Sequence, residues 1–467
     1  MTFDPVKASA AAVSAAVRGG NISARAVVEA HLARIRTHDG KLGAYTAVTS
    51  ERALAQADAI DAKRARGETL GELAGATFAV KNLFDVAGLP TLAGSKINAE
   101  HAPKSADAFL IEKLLAQDAI LLGALNMGEY AYDFTGENQH YGPSRNPHDP
   151  EHMSGGSSGG SGTAVAAGFA QIALGSDTNG SIRVPSSFCG LFGLKPTYGR
   201  LSRGGTYPFV SSFDHLGPMA RSPEDLALAY DAMQGADAHD HGQTKRDFEP
   251  VSTLLAGGMA GLRVATLGDY FAKGGTPDAY NAVAHVAKAL GVTASVDLPE
   301  AARARAAGYL ITMAEGAALH LDQLRTRSDE YDLDVRDRLI AGAMVPAAFV
   351  IKAQKFRRWY HDAALKVCEH YDVLLAPSTP LRSPKIGQKT MVLDGVEMAV
   401  RANIGIYTQP ISFIGLPVAA VPVWTEGQRL PIGVQVIAAP WREDHALRVA
   451  QALAQSGACR APVADLG

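Results

Sequence analysis

The spacing of apolar positions changes several times along the chain, and each change predicts an element. Ala8–Val17 is Ala-rich and closes on Arg18-Gly19-Gly20, which predicts a short helix. Behind Ser23, a ready N-cap, Ala26, Val27, Ala30, Leu32 and Ile35 recur at near-helical spacing. Ser50, followed by Leu54, Ala57 and Ile60, predicts a third helix with Ser50 as its cap. After Gly75 the texture shifts. Thr77–Lys81 reads as a buried strand ending at Asn82, Ala106–Gln117 as a helix, and Ile120–Gly123 as the next strand. Met153–Gly162 is almost entirely Gly and Ser, which predicts an irregular loop. It feeds an apolar, helix-like run at Thr163–Leu174. Ser222-Pro223-Glu224-Asp225 combines a cap, Pro at the first helical position and acid in the first turn. Residues 225–370 predict mostly helix, with a strand at Leu262–Leu267. Tyr371–Pro377, Val418–Val423 and Ile432–Ile437 predict strands, and a last helix starts at Asp444. Helix and strand in alternation predict an α/β fold with an N-terminal helical layer. No Pro/Gly/Ser-rich linker interrupts the chain. One domain over 1–467 is therefore expected: helical layer 1–65, core 66–220, mainly helical region 221–370, and C-terminal part of the sheet 371–467.

Composition narrows the function classes. Of 467 residues 47% are hydrophobic and 19% charged, enough for a sizeable core and too apolar for disorder. The formal net charge of −3 gives no basic excess for nucleic acid and no acidic arm. Cys189, Cys368 and Cys459 are too few and scattered for a disulfide framework or a Cys-rich metal site, and fit a reducing compartment. The apolar runs Ala164–Leu174 and Phe413–Trp424 are short of the roughly 20 residues a membrane span needs. The N-terminus has no bulky apolar segment of the kind a signal peptide carries. A cytoplasmic enzyme with no membrane and no nucleic-acid partner is expected. His148 and His152 are four apart, but Pro147 and Pro150 argue against a helix that would align them as ligands. No metal and no cofactor are expected. The Gly155–Gly162 loop lacks the Gly-Lys-Ser/Thr ending of a phosphate loop and is no Gly-x-Gly-x-x-Gly motif. Phe356, Trp359 and Tyr360 form an aromatic group that suits core packing or a partner helix.

Three features hold the candidate chemistry: Ser157 and Ser158 in the Gly/Ser loop, the segment Gly175–Arg183 with Ser181, and Lys81 at a strand end. Taken singly each is ordinary, since a lysine at a strand end is usually solvated and a Ser between glycines is usually a turn residue. Together they are specific. Ser181 follows Ser157 by 24 residues, with an apolar helix and strand between. The run Gly155–Pro196 resembles the signature of the amidase signature family of serine amidohydrolases. Ala79–Asn82, Asp214–Pro218 and Leu430–Gln435 resemble further segments of it. The resemblance implies a large mixed central sheet flanked by helices on both faces. It also implies a Ser–Ser–Lys triad, in which Ser181 is the nucleophile, Ser157 the bridging serine on a cis peptide bond, and Lys81 the general base. Elementary chemistry agrees: a serine hydroxyl needs a base, and a lysine serves only when neutral, a form that burial favours. The resemblance further places oxyanion donors on the backbone N–H groups of Thr178, Asn179, Gly180 and Ser181, and makes Asp177 and Arg183 structural supports of that loop.

Many members carry two glycines before the nucleophile, where this chain has Asn179-Gly180. That departure is shared with the carboxybiuret-hydrolysing branch of the family. So are the stretches Leu83–Asn98, Tyr141–His148, Gly199–Val210, Tyr230–Gly235, Thr408–Pro417 and Leu430–Trp441. The branch implies a small, planar, anionic N-carboxylated biuret as substrate. It also implies a partner, a small helical accessory subunit, with a heterotetramer as one form of that pairing. An anionic substrate needs a cation, and Arg338 matches the position that amidotransferase A-type subunits use for a carboxylate. Tyr132, in a segment that lines the pocket in this family, is a second substrate-binding candidate through its hydroxyl. Two other activities stay open: a broader small-amide amidase, and an amidotransferase A-type subunit. The latter uses an acidic residue just before its Thr-x-Pro segment, where this chain has Gly405 ahead of Thr408-Gln409-Pro410.

Overall fold

The computed structural model describes residues 3–467. Three helices open the chain, α1 (Ala10–Arg18), α2 (Ala24–Leu42) and α3 (Ser50–Ala65), with strand β1 (Tyr45–Val48) between the last two. The central stretch runs β2 (Thr77–Lys81), α4 (Phe109–Leu115), β3 (Ile120–Leu125), α5 (Gly159–Ala166), β4 (Ile172–Asp177), α6 (Arg183–Cys189), β5 (Phe192–Lys195), β6 (His215–Ala220) and α7 (Pro223–Met233). Then come β7 (Val264–Leu267), α8 (Pro277–Leu290), β8 (Ser295–Val296), the long helices α9 (Ala301–Arg327), α10 (Leu333–Ala343) and α11 (Ala347–Cys368), and β9 (Val373–Pro377). A hairpin, β10 (Thr390–Leu393) with β11 (Val396–Ala399), precedes the short helices α12 (Val400–Asn403) and α13 (Gln409–Ser412). The chain ends on β12 (Val418–Val423), β13 (Ile432–Ala438) and α14 (Glu443–Gln455).

Eleven strands form one mixed sheet in the order β1-β3-β2-β4-β6-β5-β12-β13-β9-β7-β8. Its β3-β2-β4 and β9-β7-β8 portions are parallel, and the strands joining them are antiparallel. The central strands are buried on both faces, which is why they read as continuous apolar runs rather than alternating ones. Period-two geometry still separates the faces. Phe78, Val80, Leu121, Ile172 and Leu174 enter one core with α4, α7, α8 and α14. Ala79, Ile120, Leu122 and Ala173 enter the other with α2, α3 and α5.

Several expectations shift. Regular structure begins inside the glycine run: Gly159–Gly162 are the first turn of α5, where a Cβ on Gly159 would crowd Ser154 and one on Gly160 would collide with the backbone of Ala44 and Asn126. The run Thr163–Leu174 is not one helix, because the chain turns at Gly168 and re-enters as β4 from Ile172. Gly175–Asp177 are accordingly strand, not loop. Ser50 lies within α3, with Thr49 at its N-cap, whereas Ser23 caps α2 as expected, its Oγ accepting the Ala26 N–H. The helix expected over Ala106–Gln117 is shorter. Residues 235–262 are largely irregular instead of helical. Strands β1, β5, β6 and the hairpin left no clear periodic signal. No single helix among the described residues is long and apolar enough to cross a membrane. The bent pair α10 and α11 meets that test only jointly, across a 96° break.

Candidate active site

Parallel strands β2 and β4 bring Lys81 and Ser176 side by side near their carboxyl ends, the edge of an open α/β sheet where ligands bind. Lys81 is fully buried. Its Nζ donates to Ser157 Oγ at 2.7 Å and to Ser176 Oγ at 2.8 Å. Burial pushes the ammonium down from its ordinary value to about 7, against the opposing pull of Asp214, Asp177 and Asp133. Ser157 stands in the turn before α5, and the Gly156–Ser157 peptide is cis. The turn is tied down by Gly156 N–H to Phe134 O (2.9 Å) and Gly128 N–H to Ser157 O (3.1 Å). Ser158 and Ser161 pin it to β4 through Ser176 O and Leu174 O.

Ser181 lies on the turn between β4 and α6, and that turn is held from behind by a saturated guanidinium. Arg183 has five N–H donors and the structure supplies five acceptors. Nε and Nη2 bond Asp177 at 2.9 Å each, Nη1 bonds Gln435 Oε1 (2.6 Å) and Thr408 O (3.1 Å), and the second Nη2 hydrogen goes to Ser412 Oγ. Burial alone would raise the Asp177 carboxyl, but the paired guanidinium overcomes it and holds the group well below the usual carboxylate range. Asp177 Oδ2 also accepts the Ile182 N–H (3.2 Å). Thr408 Oγ1 donates to Asn179 O (2.7 Å), and Thr178 Oγ1 donates to Asp214 Oδ1 (2.6 Å). The glycine at 180 is required: its φ is +139°, and a Cβ there would collide with Thr408. None of the backbone amides of Thr178, Asn179, Gly180 and Ser181 donates to an acceptor among the described residues.

A narrow pocket of about 20 Å³ opens on Ser181. Tyr132 and Arg338, both expected from the sequence, meet there. The Arg338 guanidinium lies 3.9 Å over the Tyr132 ring and bonds Tyr132 O and Asp334 O. Arg338 is thus held by carbonyls and an aromatic face rather than by an ion pair. The Tyr132 hydroxyl is buried without a partner, and burial pushes its phenol up. Sequence reasoning missed Arg401, Gln409, Thr312 and Asp133, which share this pocket. Arg401 sits 3.1 Å from Asp133 and 3.3 Å from Asp334. It also missed Ser176, which stood inside the motif already singled out and would have been found by ending β4 two residues later. A larger cavity of about 170 Å³, lined by Ser176, Asp214, Arg203 and Tyr207, meets the pocket at Ala131 and Phe209.

The remaining candidates stay apart from this site. His148 Nε2 is bonded to Cys189 O, and His152 faces Asp149. Among the described residues no three His, Cys, Asp or Glu side chains gather as metal ligands would. Phe356 stacks on Tyr360, Trp359 and Phe413, leaving Trp359 half exposed.

A buried lysine on a serine, beside a second serine at a sheet's carboxyl edge, defines an amide-cleaving class of α/β protein. The Amidase family model matches residues 26–447, and the chain belongs to that family. It is 52% identical to the AtzE subunit of the 1-carboxybiuret hydrolase of Pseudomonas sp. (strain ADP), over 95% of this chain and 97% of that one. It is 36% identical to the A-type subunit of the glutamyl-tRNA(Gln) amidotransferase of Chromohalobacter salexigens, over 95% of each. Among solved structures it superposes with a TM-score of 0.96 at 50% identity, over 97% of this chain and 100% of the other, on a member of a vestigial protein complex that reveals the evolutionary origins of an s-triazine catabolic enzyme. It also matches the A-type subunit of the glutamyl-tRNA(Gln) amidotransferase of Thermotoga maritima, with a TM-score of 0.81 at 27% identity over 99% of each chain.

Proposed function

We propose that the chain hydrolyses a small anionic amide, 1-carboxybiuret, to a dicarboxylated urea and ammonia, with Lys81, Ser157 and Ser181 as its catalytic residues. The observation that carries this is the buried Lys81–Ser157 hydrogen bond, together with a pocket lined by Ser181 and two guanidinium groups. With Lys81 lowered to about 7, a large neutral fraction is available near neutral pH to accept a proton. Ser157 passes the Ser181 hydroxyl proton to Lys81 as Ser181 Oγ attacks the amide carbon. The oxyanion that forms takes the free amides of Thr178, Asn179, Gly180 and Ser181. Ser157 then returns the proton to the departing nitrogen, ammonia leaves, and water cleaves the acyl-enzyme by the reverse relay. Asp177 and Arg183 hold the loop in place. The scheme asks for no metal or cofactor.

Arg338 fits the substrate carboxylate, with Tyr132 beneath it, and the 52% identical relative supports the carboxybiuret assignment. The amidotransferase alternative asks for an acidic side chain at 405. The Phe134 ring packs so closely on Gly405 that a side chain there would require the ring to move. In this reading the enzyme works in the cytoplasm and forms a heterotetramer with a small helical accessory subunit. Exposed Ile340, Met344, Phe349 and Ile351, around the α10–α11 turn, offer apolar surface for such a partner.

The test is ammonia release by the chain co-purified with its small subunit. The substrates are carboxybiuret made in situ by a ring-opening hydrolase, biuret, allophanate, glutamine and an aliphatic amide. Carboxybiuret is expected to lead by about a hundredfold, a margin that binding by charge and hydrogen bonds can supply. Equal, weak rates across the panel would overturn the substrate, and a lead by glutamine would revive the amidotransferase reading.

A further inference from the structure

Two carboxamides line the pocket beside Ser181: Asn179, from the turn that carries Ser181, and Gln409, at the start of α13. A carboxamide has a donor end and an acceptor end, and a selective pocket must fix which one faces the ligand. Here each is held by one end. Arg305 of α9 donates from Nε to Gln409 Oε1 at 2.8 Å. A guanidinium only donates, so this amide cannot turn round, and its Nε2 hydrogens are the free end. Arg305 is itself fixed by Ala402 O (2.9 Å) and Asn403 Oδ1 (2.8 Å). From the same helix α9, Thr312 Oγ1 accepts from Asn179 Nδ2 at 3.0 Å, an arrangement that leaves Oδ1 as a free acceptor. Arg401 adds a buried Nη1 that makes no aligned hydrogen bond and is ion-paired with Asp133 Oδ1 at 3.1 Å. A simple amide needs only the oxyanion donors and a way out for its nitrogen. An acylurea chain repeats N–H and C=O beyond the reacting carbonyl, and each buried group must find a partner.

We propose that Asn179 and Gln409, pinned by Thr312 and Arg305, select an acylurea over a simple amide. Asn179 Oδ1 accepts a ureido N–H, Gln409 Nε2 donates to the distal carbonyl, and the Arg338 and Arg401 guanidiniums take the terminal carboxylate. The proposal rests on the anionic-amide reading above and names the polar pattern of that substrate.

The test is the ratio of kcat/KM for carboxybiuret to that for propionamide, measured on the complex with its small subunit. Gln409→Glu keeps an acceptor for Arg305 but replaces the free donor by a second acceptor. It is expected to lower the ratio about a hundredfold. Thr312→Val removes the pin on Asn179 and is expected to lower it about tenfold, while Thr312→Ser, which keeps the hydroxyl, restores at least half of the wild-type ratio. Where propionamide turnover is too slow to follow, binding of biuret and propionamide to the Ser181→Ala protein gives the same comparison. A structural role would depress both substrates alike and leave the ratio where it was, which overturns the proposal. The two substitutions fall on different elements, α13 and α9, so loss of the fold in one leaves the other decisive. A wild-type enzyme that cleaves propionamide but not carboxybiuret would remove the substrate reading itself. One that prefers carboxybiuret, with ratios unmoved in the variants, would remove only the pinned amides.

Discussion

On the sheet side of the pocket, Lys81, Ser157, Ser176 and Asp177 are all 3% exposed or less, and each is fixed by hydrogen bonds to neighbouring strands and turns. On the helical side, Arg338 and Arg401 are half-buried, stand on α10 and α12, and are held by carbonyls, an aromatic ring, the buried Asp133 and the exposed Asp334. The sheet side places groups that must act on one reacting atom, and burial both orders them and tunes Lys81. In the proposed mechanism the helical side meets the variable remainder of a substrate. In that proposal reactivity and selectivity rest on different layers, and a change in one is expected to leave the other's signature readable.

The sharpest break comes on the sheet side. Ser181→Ala is expected to lower kcat by about 10⁴-fold or more while the melting temperature stays near wild type, since the change removes one oxygen from a pocket-lining residue. Normal turnover in that protein would refute the assignment of the nucleophile. Next in size is a stability effect from the same layer. Arg183→Met strands the Asp177 carboxylate in the interior and is expected to cost about 3–5 kcal/mol in chemical denaturation. A loss below about 1 kcal/mol would mean that water reaches the site and that the network is not what holds the loop. On the helical side, Arg338→Ala is expected to raise KM for anionic amides by roughly ten- to a hundredfold, with a much smaller change for neutral ones. Equal losses on both would make Arg338 a structural residue and blur the division between layers.

The smallest effect tests the tuning of Lys81. Its ammonium sits at about 7, and only the neutral amine accepts a proton. As pH falls through 7 the base is lost, so kcat/KM is expected to drop about tenfold per pH unit on the acid side and to level off above. An acid limb near 4 would assign the essential base to a carboxylate. A limb near 10 would mean a solvated lysine.

How far the sequence reached differs between the same two layers. The turn residues around Ser157 and Ser181 stand in short local motifs. Their Gly and Ser content announces tight packing, and the apolar runs on either side announce buried strands. The lysine at the end of β2 could be placed because the run Thr77–Lys81 is continuous and apolar. The first turn of α5 escaped notice because glycine has poor helix propensity, and only its close approach to Ala44, Asn126 and Ser154 calls for glycine there. Strands β5 and β6 lay hidden because both faces of each are covered, which erases alternation. On the helical side only Arg338 was legible. Gln409 and Arg401 lie more than 200 residues beyond Ser181 in the chain; the Thr408-Gln409-Pro410 segment is marked without a role for Gln409, and nothing around Arg401 marks it.

By itself, then, the sequence determined the α/β class, the family of the chain and the positions of Lys81, Ser157 and Ser181, because these depend on local pattern: apolar runs, caps, and turns that only small residues can make. The tertiary structure alone decided that Lys81 shares its hydrogens between Ser157 and Ser176, that Arg183 finds five acceptors, and that Arg305 and Thr312 turn two amides toward one pocket. Those outcomes depend on strand order and on helices brought together from distant parts of the chain. A hydrogen bond is made or lost over a few tenths of an ångström, a precision that only the packed layers supply.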